Sequence, residues 1–352
     1  MTRKLAIFLM LVLVVGILGG CAGTTVVYQT NCDCPEEAVA QTPANEEPIA
    51  SAEGAVKTGL AIVASASGET ASAIEYDASI VAVTVDDAGV IASCIIDSLG
   101  ATVSIDATGA ITSDTAAALA TKNELGDNYG MKAYAGAKYE WYEQAAALAD
   151  YAVGKTVDEL KNGAIDESGK APAGSDLATT ATIYLGGYVS AIEAAVNNAA
   201  HLGAQHGDEL RYAVIASLSD SASATADAAG LAQLNLDAVA LTVKDGVITS
   251  CALDSLQGKV NFDAAGVITT DLTAPMQTKN QLGEAYGMKA YAGAKYEWNE
   301  QAANFAAYVT GKTAADVAGI AVSEGKPSDA DLSASVTIAI GGFQGLIEKA
   351  MQ

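Results

Sequence analysis

The chain has 352 residues, 51% of them hydrophobic, and its 18 basic and 42 acidic residues give a formal net charge of −24 at neutral pH. This length corresponds to about two domains of ordinary size, and the apolar content is sufficient for packed cores. Such a negative field repels the phosphates of nucleic acids and of anionic lipid headgroups, which argues against both as partners of the folded part.

Residues 1–20 have the pattern of a lipoprotein signal peptide. Arg3 and Lys4 form a short basic region, and 16 uncharged residues follow up to Gly20. This stretch is shorter than the about 20 residues of a spanning helix and typical of a signal peptide. It ends in Leu-Gly-Gly-Cys21, which resembles the lipobox of bacterial lipoproteins. The resemblance implies cleavage before Cys21, acylation of its thiol and a lipid anchor at the extracellular face of the cell membrane. An ordinary secretory signal with an incidental cysteine is the alternative.

Residues 21–56 are predicted to be a disordered tether that carries the lipid. Three of the chain's six prolines lie here among glutamates, alanines and threonines. A segment of this composition cannot bury a core. Cys32 and Cys34 form a lone C-x-C pair in the tether, and its spacing is too weak a signal to assign a redox or metal role.

A thirteen-residue sequence occurs twice in the rest of the chain. Tyr129–Trp141 and Tyr286–Trp298 both read YGMKAYAGAKYEW, 157 residues apart. This period is too long for a solenoid repeat and predicts two globular domains in tandem. Their predicted bounds are residues 57–200 and 209–352. Residues 201–208 form the predicted linker and contain both histidines, His201 and His206, so no Ser-His-Asp arrangement of a hydrolase is expected.

Each predicted domain reads as strands first and helices afterwards. Apolar runs at 80–85 and 90–96 flank a turn, and Lys244-Asp245-Gly246 marks the matching hairpin in the second copy. In the first copy, helices are predicted at 139–153 and 187–197, and a capping box at Thr156 predicts a short helix between them. In the second copy the last helix is predicted from 342 to the end. Cys94 and Cys251 fall within strands, where we expect them to pack in the core. The order predicts an α+β fold, with an antiparallel sheet covered by helices on one face.

A related heptad precedes the last helix of each copy. Asp176–Thr182 reads DLATTAT and Asp331–Thr337 reads DLSASVT, so Asp176 and Asp331 open the heptads and Thr182 and Thr337 close them. Both resemble the flavinylation motif of the FMN-binding domain family, D-x-x-[ST]-[GSA]-x-[ST]. In that family a dedicated transferase attaches FMN to the last threonine through a phosphoester bond. The sequence departs from the motif at Thr180 and at Ala334.

The repeated thirteen-residue block is the second candidate for flavin contact. Aromatic faces and a thioether suit a flat isoalloxazine ring, so Met131 and Tyr134, with Met288 and Tyr291 in the second copy, are predicted to line its pocket. Lys132, Tyr139 and Trp141 belong to the same block. The alternative is that these rings, the tryptophans above all, only fill the core.

The arrangement as a whole resembles the tandem FMN-binding lipoproteins of Gram-positive bacteria. The resemblance implies an electron carrier rather than an enzyme, with covalent FMN in both domains. With only two histidines and no zinc-type cysteine spacing, no metal site is expected. Its implied partners are an FMN transferase, a membrane NADH dehydrogenase with the quinone pool, and extracellular acceptors such as ferric iron. That group is related to lipoproteins whose signal peptides yield pheromone-like peptides. The alternative function is a non-redox cell-surface lipoprotein for ligand binding or adhesion.

Overall fold

The computed structural model describes residues 54–352, so the predicted signal peptide, Cys21 and the tether up to residue 53 lie outside the described residues. The described part is a mixed α+β structure with antiparallel sheets and helices, as the sequence predicted. Within residues 54–352, no helix has both the length and the apolar character needed to cross a lipid bilayer.

Two antiparallel sheets of three strands form the centre, in the orders β1-β2-β3 and β4-β5-β6. Their strands are β1 (Lys57–Gly68), β2 (Ala73–Val85), β3 (Ile91–Ser104), β4 (Glu209–Ser217), β5 (Gly230–Lys244) and β6 (Val247–Phe262). The predicted hairpin at 244–246 is confirmed, because Asp245 and Gly246 join β5 to β6 with positive φ angles of 51° and 78°. Two consecutive positive φ angles are the geometry that an Asp-Gly hairpin turn favours.

The helices follow the strands in both halves of the chain. The first half contains α1 (Lys122–Leu125), α2 (Met131–Ala135), α3 (Trp141–Ala152), α4 (Val157–Gly163) and α5 (Gly186–Asn197). The second half contains α6 (Lys279–Leu282), α7 (Met288–Ala292), α8 (Trp298–Val309), α9 (Ala314–Ala318), the short strands β7 (Val322–Ser323) and β8 (Lys326–Pro327), α10 (Ala330–Ser333) and α11 (Gly341–Ala350). The predicted capping box is confirmed, since Thr156 and Glu159 exchange side-chain to backbone hydrogen bonds at the start of α4.

Both faces of each sheet are covered. Alternate residues of β2, such as Ile74, Ile80 and Ala82, pack against Leu234 and Leu236 of β5 in a core between the two sheets. The other face of each sheet packs against helices, α3–α5 on the first sheet and α8–α11 on the second. The predicted helices on one face are therefore present, and the cover of the second face by the other sheet is what the prediction lacked. The apolar run of β2 has no polar alternation, which is the pattern of a strand buried on both sides.

The two cysteines of the described residues lie in the equivalent strands β3 and β6. Cys251 is buried and Cys94 is partly buried against the helices. Burial raises the pKa of the Cys94 thiol to about 12 and raises that of Cys251 as well. Both groups therefore stay protonated at neutral pH, which supports a packing role.

Candidate functional site

The last threonine of each heptad lies on the surface, held by buried neighbours. Leu177 and Ala181 anchor the first heptad in the core, while Thr182 is exposed four residues before α5. In the second heptad Leu332 and Val336 are buried, and Thr337 is exposed four residues before α11. Both hydroxyl-bearing residues can be reached by another protein. Asp176 and Asp331, which open the heptads, are also exposed.

A buried glutamine fixes each of these threonines. The Oε1 atom of Gln144 on α3 accepts hydrogen bonds from the Thr182 N–H at 2.8 Å, the Thr182 hydroxyl at 3.1 Å and the Ile183 N–H at 3.1 Å. Gln301 on α8 accepts from the Thr337 N–H at 2.7 Å and from its hydroxyl at 3.2 Å. The exposed threonine loops are thus tied to the interior of each half.

The same glutamines contact the repeated block. Gln144 donates through Nε2 to the Tyr139 carbonyl at 3.0 Å and lies 3.8 Å from the Met131 sulfur. Gln301 donates to the Tyr296 carbonyl at 3.0 Å and lies 4.0 Å from the Met288 sulfur. The structure therefore brings the predicted residues Thr182 and Met131 together, and likewise Thr337 and Met288.

Sequence reasoning missed these two glutamines. Both stand three residues after the end of the repeated block, in the shared sequence E-Q-A-A, and both fall on a helix face whose other buried residues are apolar. A polar residue at a core position of a helix is the signal that would have identified them, because buried amides need partners.

A buried glutamate supports the block in each half. Glu140 accepts hydrogen bonds from the Met131 N–H at 2.7 Å and the Lys132 N–H at 3.0 Å, at the start of α2. Glu297 accepts from Met288 and Lys289 in the same way, at 2.7 and 2.9 Å. The Lys132 ammonium pairs with Glu143 at 2.7 Å, and this contact raises the pKa of Lys132. The carboxylates thus hold the methionines beside the threonine loops.

A cavity of about 610 Å³ opens beside the threonine loop of the first half. The predicted residue Met131 lines it, and so do four rings and a cation of the same half: Trp141, Tyr129, Tyr184, Tyr188 and Lys122. Ile183, which follows Thr182, also lines it. The Trp141 Nε1–H donates to the Tyr188 hydroxyl at 3.1 Å, and the Lys122 ammonium lies 5.2 Å from the Trp141 ring centroid. The walls therefore combine aromatic rings with small and polar residues of β1 and β2, and they carry one cation, Lys122, and one carboxylate, Asp77.

Tyr134 and Tyr291 do not join this cavity. Their side chains are 91% and 90% exposed, and neither residue is among those that line it. The Tyr134 ring lies over Gly130, where a Cβ atom would come within 2.6 Å of it. The exposure excludes a core role for both tyrosines. Trp141 and Trp298 are buried, so for the tryptophans the core interpretation is correct, although Trp141 also lines the cavity.

The second half keeps the cation and the buried tryptophan with fewer rings around them. The Lys279 ammonium lies 4.9 Å from the Trp298 ring centroid, and burial lowers the pKa of Lys279. Phe343 packs edge-on against Trp298, with their centroids 5.8 Å apart, in the position that Tyr188 has against Trp141. The second half thus lacks the hydroxyl that Tyr188 provides.

Comparison with known proteins finds no family model that matches the chain, and no characterised protein or solved structure with significant similarity to it. Among residues 54–352, no group of three or more His, Cys, Asp or Glu side chains is placed to hold a metal ion.

Proposed function

We propose that this protein is a membrane-anchored extracellular electron carrier with covalent FMN on Thr182 and Thr337. One observation carries the proposal: an exposed threonine is fixed by a buried amide beside an aromatic cavity. We further propose that residues 57–200 and 209–352 are tandem copies of one FMN-binding domain. The protein would not be an enzyme itself, but the substrate of an FMN transferase.

The residues around Thr182 suit an FMN group. A volume of about 610 Å³ falls within the range of small-molecule sites. Trp141, Tyr184 and Tyr188 offer ring faces and edges, and Met131 offers a polarizable sulfur. The Lys122 ammonium is the cation of this cavity, beside the Asp77 carboxylate, and it would offset the negative charge of a phosphate or a reduced ring. When bound, FMN supplies reversible one-electron and two-electron redox chemistry.

The chain's own residues prepare the attachment point. Esterification of the Thr182 hydroxyl removes its hydrogen bond to Gln144, but the Thr182 and Ile183 N–H groups still donate to the same amide oxygen. The loop therefore stays in place after modification. Its exposed position leaves the hydroxyl open to a transferase.

Attachment is tested by the intact mass of the mature protein made together with an FMN transferase. We expect two FMN groups, one fewer in Thr182→Val or in Thr337→Val, and none in the double variant. Thr180→Val, within the first heptad, is the matched control and should keep both. A protein without flavin, despite an active transferase, would contradict the proposal and favour the non-redox ligand-binding or adhesion lipoprotein.

The anchor and the partners form the second part of the proposal. A lipid on Cys21, followed by a tether, would keep the carrier close to a membrane NADH dehydrogenase and the quinone pool on one side and to extracellular acceptors on the other. Cys21→Ala should release the protein from the membrane fraction or block its processing. Membrane retention with normal cleavage would refute the anchor but leave the flavin sites untouched.

A further inference from the structure

A second cavity, of about 510 Å³, lies in the second half of the chain. Its walls are small or apolar side chains of strand β6 and helix α8: Cys251, Ala252, Leu253, Ala303, Ala306 and Ala307. The segment 201–203, with the His201 imidazole, closes one side, and Asn280, Asn299 and Thr310 contribute polar groups. The α8 residues that line the cavity, at positions 299, 303, 306, 307 and 310, share one face of the helix. Gln301, which binds the Thr337 loop, lies on another face. This cavity is therefore separate from the proposed flavin site.

One polar atom of the cavity wall lacks a hydrogen-bond partner. The Oδ1 atom of Asn299 is buried and accepts no hydrogen bond from the described residues. The neighbouring Asn280 donates a side-chain N–H to the Leu253 carbonyl at 2.8 Å and makes no hydrogen bond to Asn299 Oδ1. A buried acceptor without a donor is unfavourable, and a group that donates to it gains the full benefit of the bond.

The first half of the chain fills the equivalent position. Helix α3 begins Trp141-Tyr142-Glu143-Gln144, where α8 begins with tryptophan followed by Asn299. Tyr142 is a much larger side chain, and its hydroxyl donates to the Asp127 carboxylate at 3.3 Å. Further along the same face, α3 carries the charged Asp150, and α8 carries Ala307. The second half is thus the one with small, uncharged side chains along this face.

We propose that this cavity binds a small, uncharged and mostly apolar molecule that donates one N–H or O–H hydrogen bond to Asn299 Oδ1. The mostly apolar walls select against charge because an ion placed against them loses part of its hydration. The net charge of −24 adds repulsion against anions. The volume lies within the range of small-molecule sites, and mostly apolar walls with a few polar groups match the usual composition of such sites.

Indole and 1-methylindole are the probes, because they share one ring system and only indole has an N–H. Binding is followed by amide chemical shifts of the full chain, read at Ala303, Ala306 and Ala307, so that binding at the cavity beside Thr182 is not counted. We expect indole to bind about tenfold more tightly than 1-methylindole, as one hydrogen bond to a buried acceptor predicts. In Asn299→Leu the two probes should bind equally.

Ala303→Trp places a large ring at the exposed rim of the cavity, covers its opening and should abolish the shifts. Ala146→Trp, at the same exposed position of α3, is the matched control and should leave them unchanged. Equal affinity of the two probes for the native chain would overturn the proposal. So would the absence of any shift at the three alanines, or shifts that persist in Ala303→Trp. If Ala303→Trp fails to fold, the comparison of probes in Asn299→Leu still decides.

Discussion

At the scale of single residues, one buried amide in each half determines where the threonine loop lies. A glutamine side chain carries both an acceptor and two donors, so Gln144 can accept from Thr182 and Ile183 while it donates to the Tyr139 carbonyl. A carboxylate could accept but not donate, and an apolar residue could do neither. The loop and the repeated block are therefore coupled through a side chain that only an amide can replace.

Replacing this amide should cost stability. In Gln144→Leu the buried end of the loop loses an acceptor for two backbone N–H groups, and we expect a loss of about 2–3 kcal/mol in the free energy of unfolding. Thr182→Val removes only the hydroxyl bond of an exposed residue and should cost about 1 kcal/mol or less. Urea unfolding of both variants gives the comparison. Equal losses would show that Gln144 does not hold the loop, and Gln301→Leu repeats the test in the second half.

The buried carboxyl of Asp97 should make stability depend on pH. Burial raises the pKa of Asp97, although hydrogen bonds from Thr121, Asn123, Tyr212 and Ser98 oppose the shift. The folded state therefore binds this proton more tightly than the unfolded state. The contribution of Asp97 to the free energy of unfolding is fully present below its pKa in the unfolded state. It is lost as the pH rises through its pKa in the folded state. Asp97→Asn has no carboxyl to ionise and so does not lose this contribution. In urea unfolding, the stability of the variant relative to the native chain should therefore increase as the pH rises above about 4.

Asp106 provides the control of opposite sign. Hydrogen bonds from the Thr108 hydroxyl and from the backbone lower the pKa of this half-buried carboxyl. Its contribution is therefore present at neutral pH and is lost as the pH falls. Urea unfolding at pH 4 and pH 7 should show that Asp106→Asn becomes less stable relative to the native chain as the pH rises. The same trend in both variants would contradict the assignment for Asp97.

At the scale of elements, short helices depend on caps from outside their own sequence. Helix α2 has five residues, and helices of that length are unstable in isolation. The Glu140 carboxylate accepts from the N–H groups of its first two residues, Met131 and Lys132. The position of the Met131 sulfur beside the threonine loop thus depends on Glu140, which is the N-cap residue of the next helix, α3.

Removing this cap should loosen α2 selectively. In Glu140→Ala we expect faster amide hydrogen exchange over residues 131–135, because two N–H groups lose their acceptor. Glu159→Ala is the control, since Glu159 belongs to the capping box of α4. That variant should leave the exchange of α2 unchanged. Unchanged exchange of α2 in Glu140→Ala would mean that other contacts hold this helix.

Local elements of the fold could be predicted because their signals are local. The Asp245-Gly246 turn and the capping box at Thr156 each depend on a few adjacent residues, and both were found where predicted. The residues of the cavity beside Thr182 come from strands β1 and β2, from the repeated block and from the start of α5. No local pattern brings these segments together, so Lys122, Tyr184 and Tyr188 could not be identified from the sequence.

At the scale of the whole molecule, the two halves share a core that long-range contacts define. The Tyr76 hydroxyl of β2 donates to the Ala232 carbonyl of β5 at 2.8 Å, and Tyr212 of β4 donates to Asp97 of β3 at 2.8 Å. The Phe262 ring is buried in the same core and lies where a Cβ atom of residue 230 would be, which explains the glycine there. If the sheet of one half unfolded, the apolar face of the other sheet would be exposed to water.

This shared core predicts one cooperative unfolding transition. The two tryptophans, Trp141 and Trp298, are buried one in each half, so Trp141→Phe and Trp298→Phe leave chains that report on the second and the first half separately. We expect the two fluorescence transitions in urea to coincide. Phe262→Ala should cost about 3–5 kcal/mol, because it leaves a cavity between the sheets, and should shift both transitions together. Two separate midpoints, or a shift confined to the Trp298 signal, would show that the halves unfold independently.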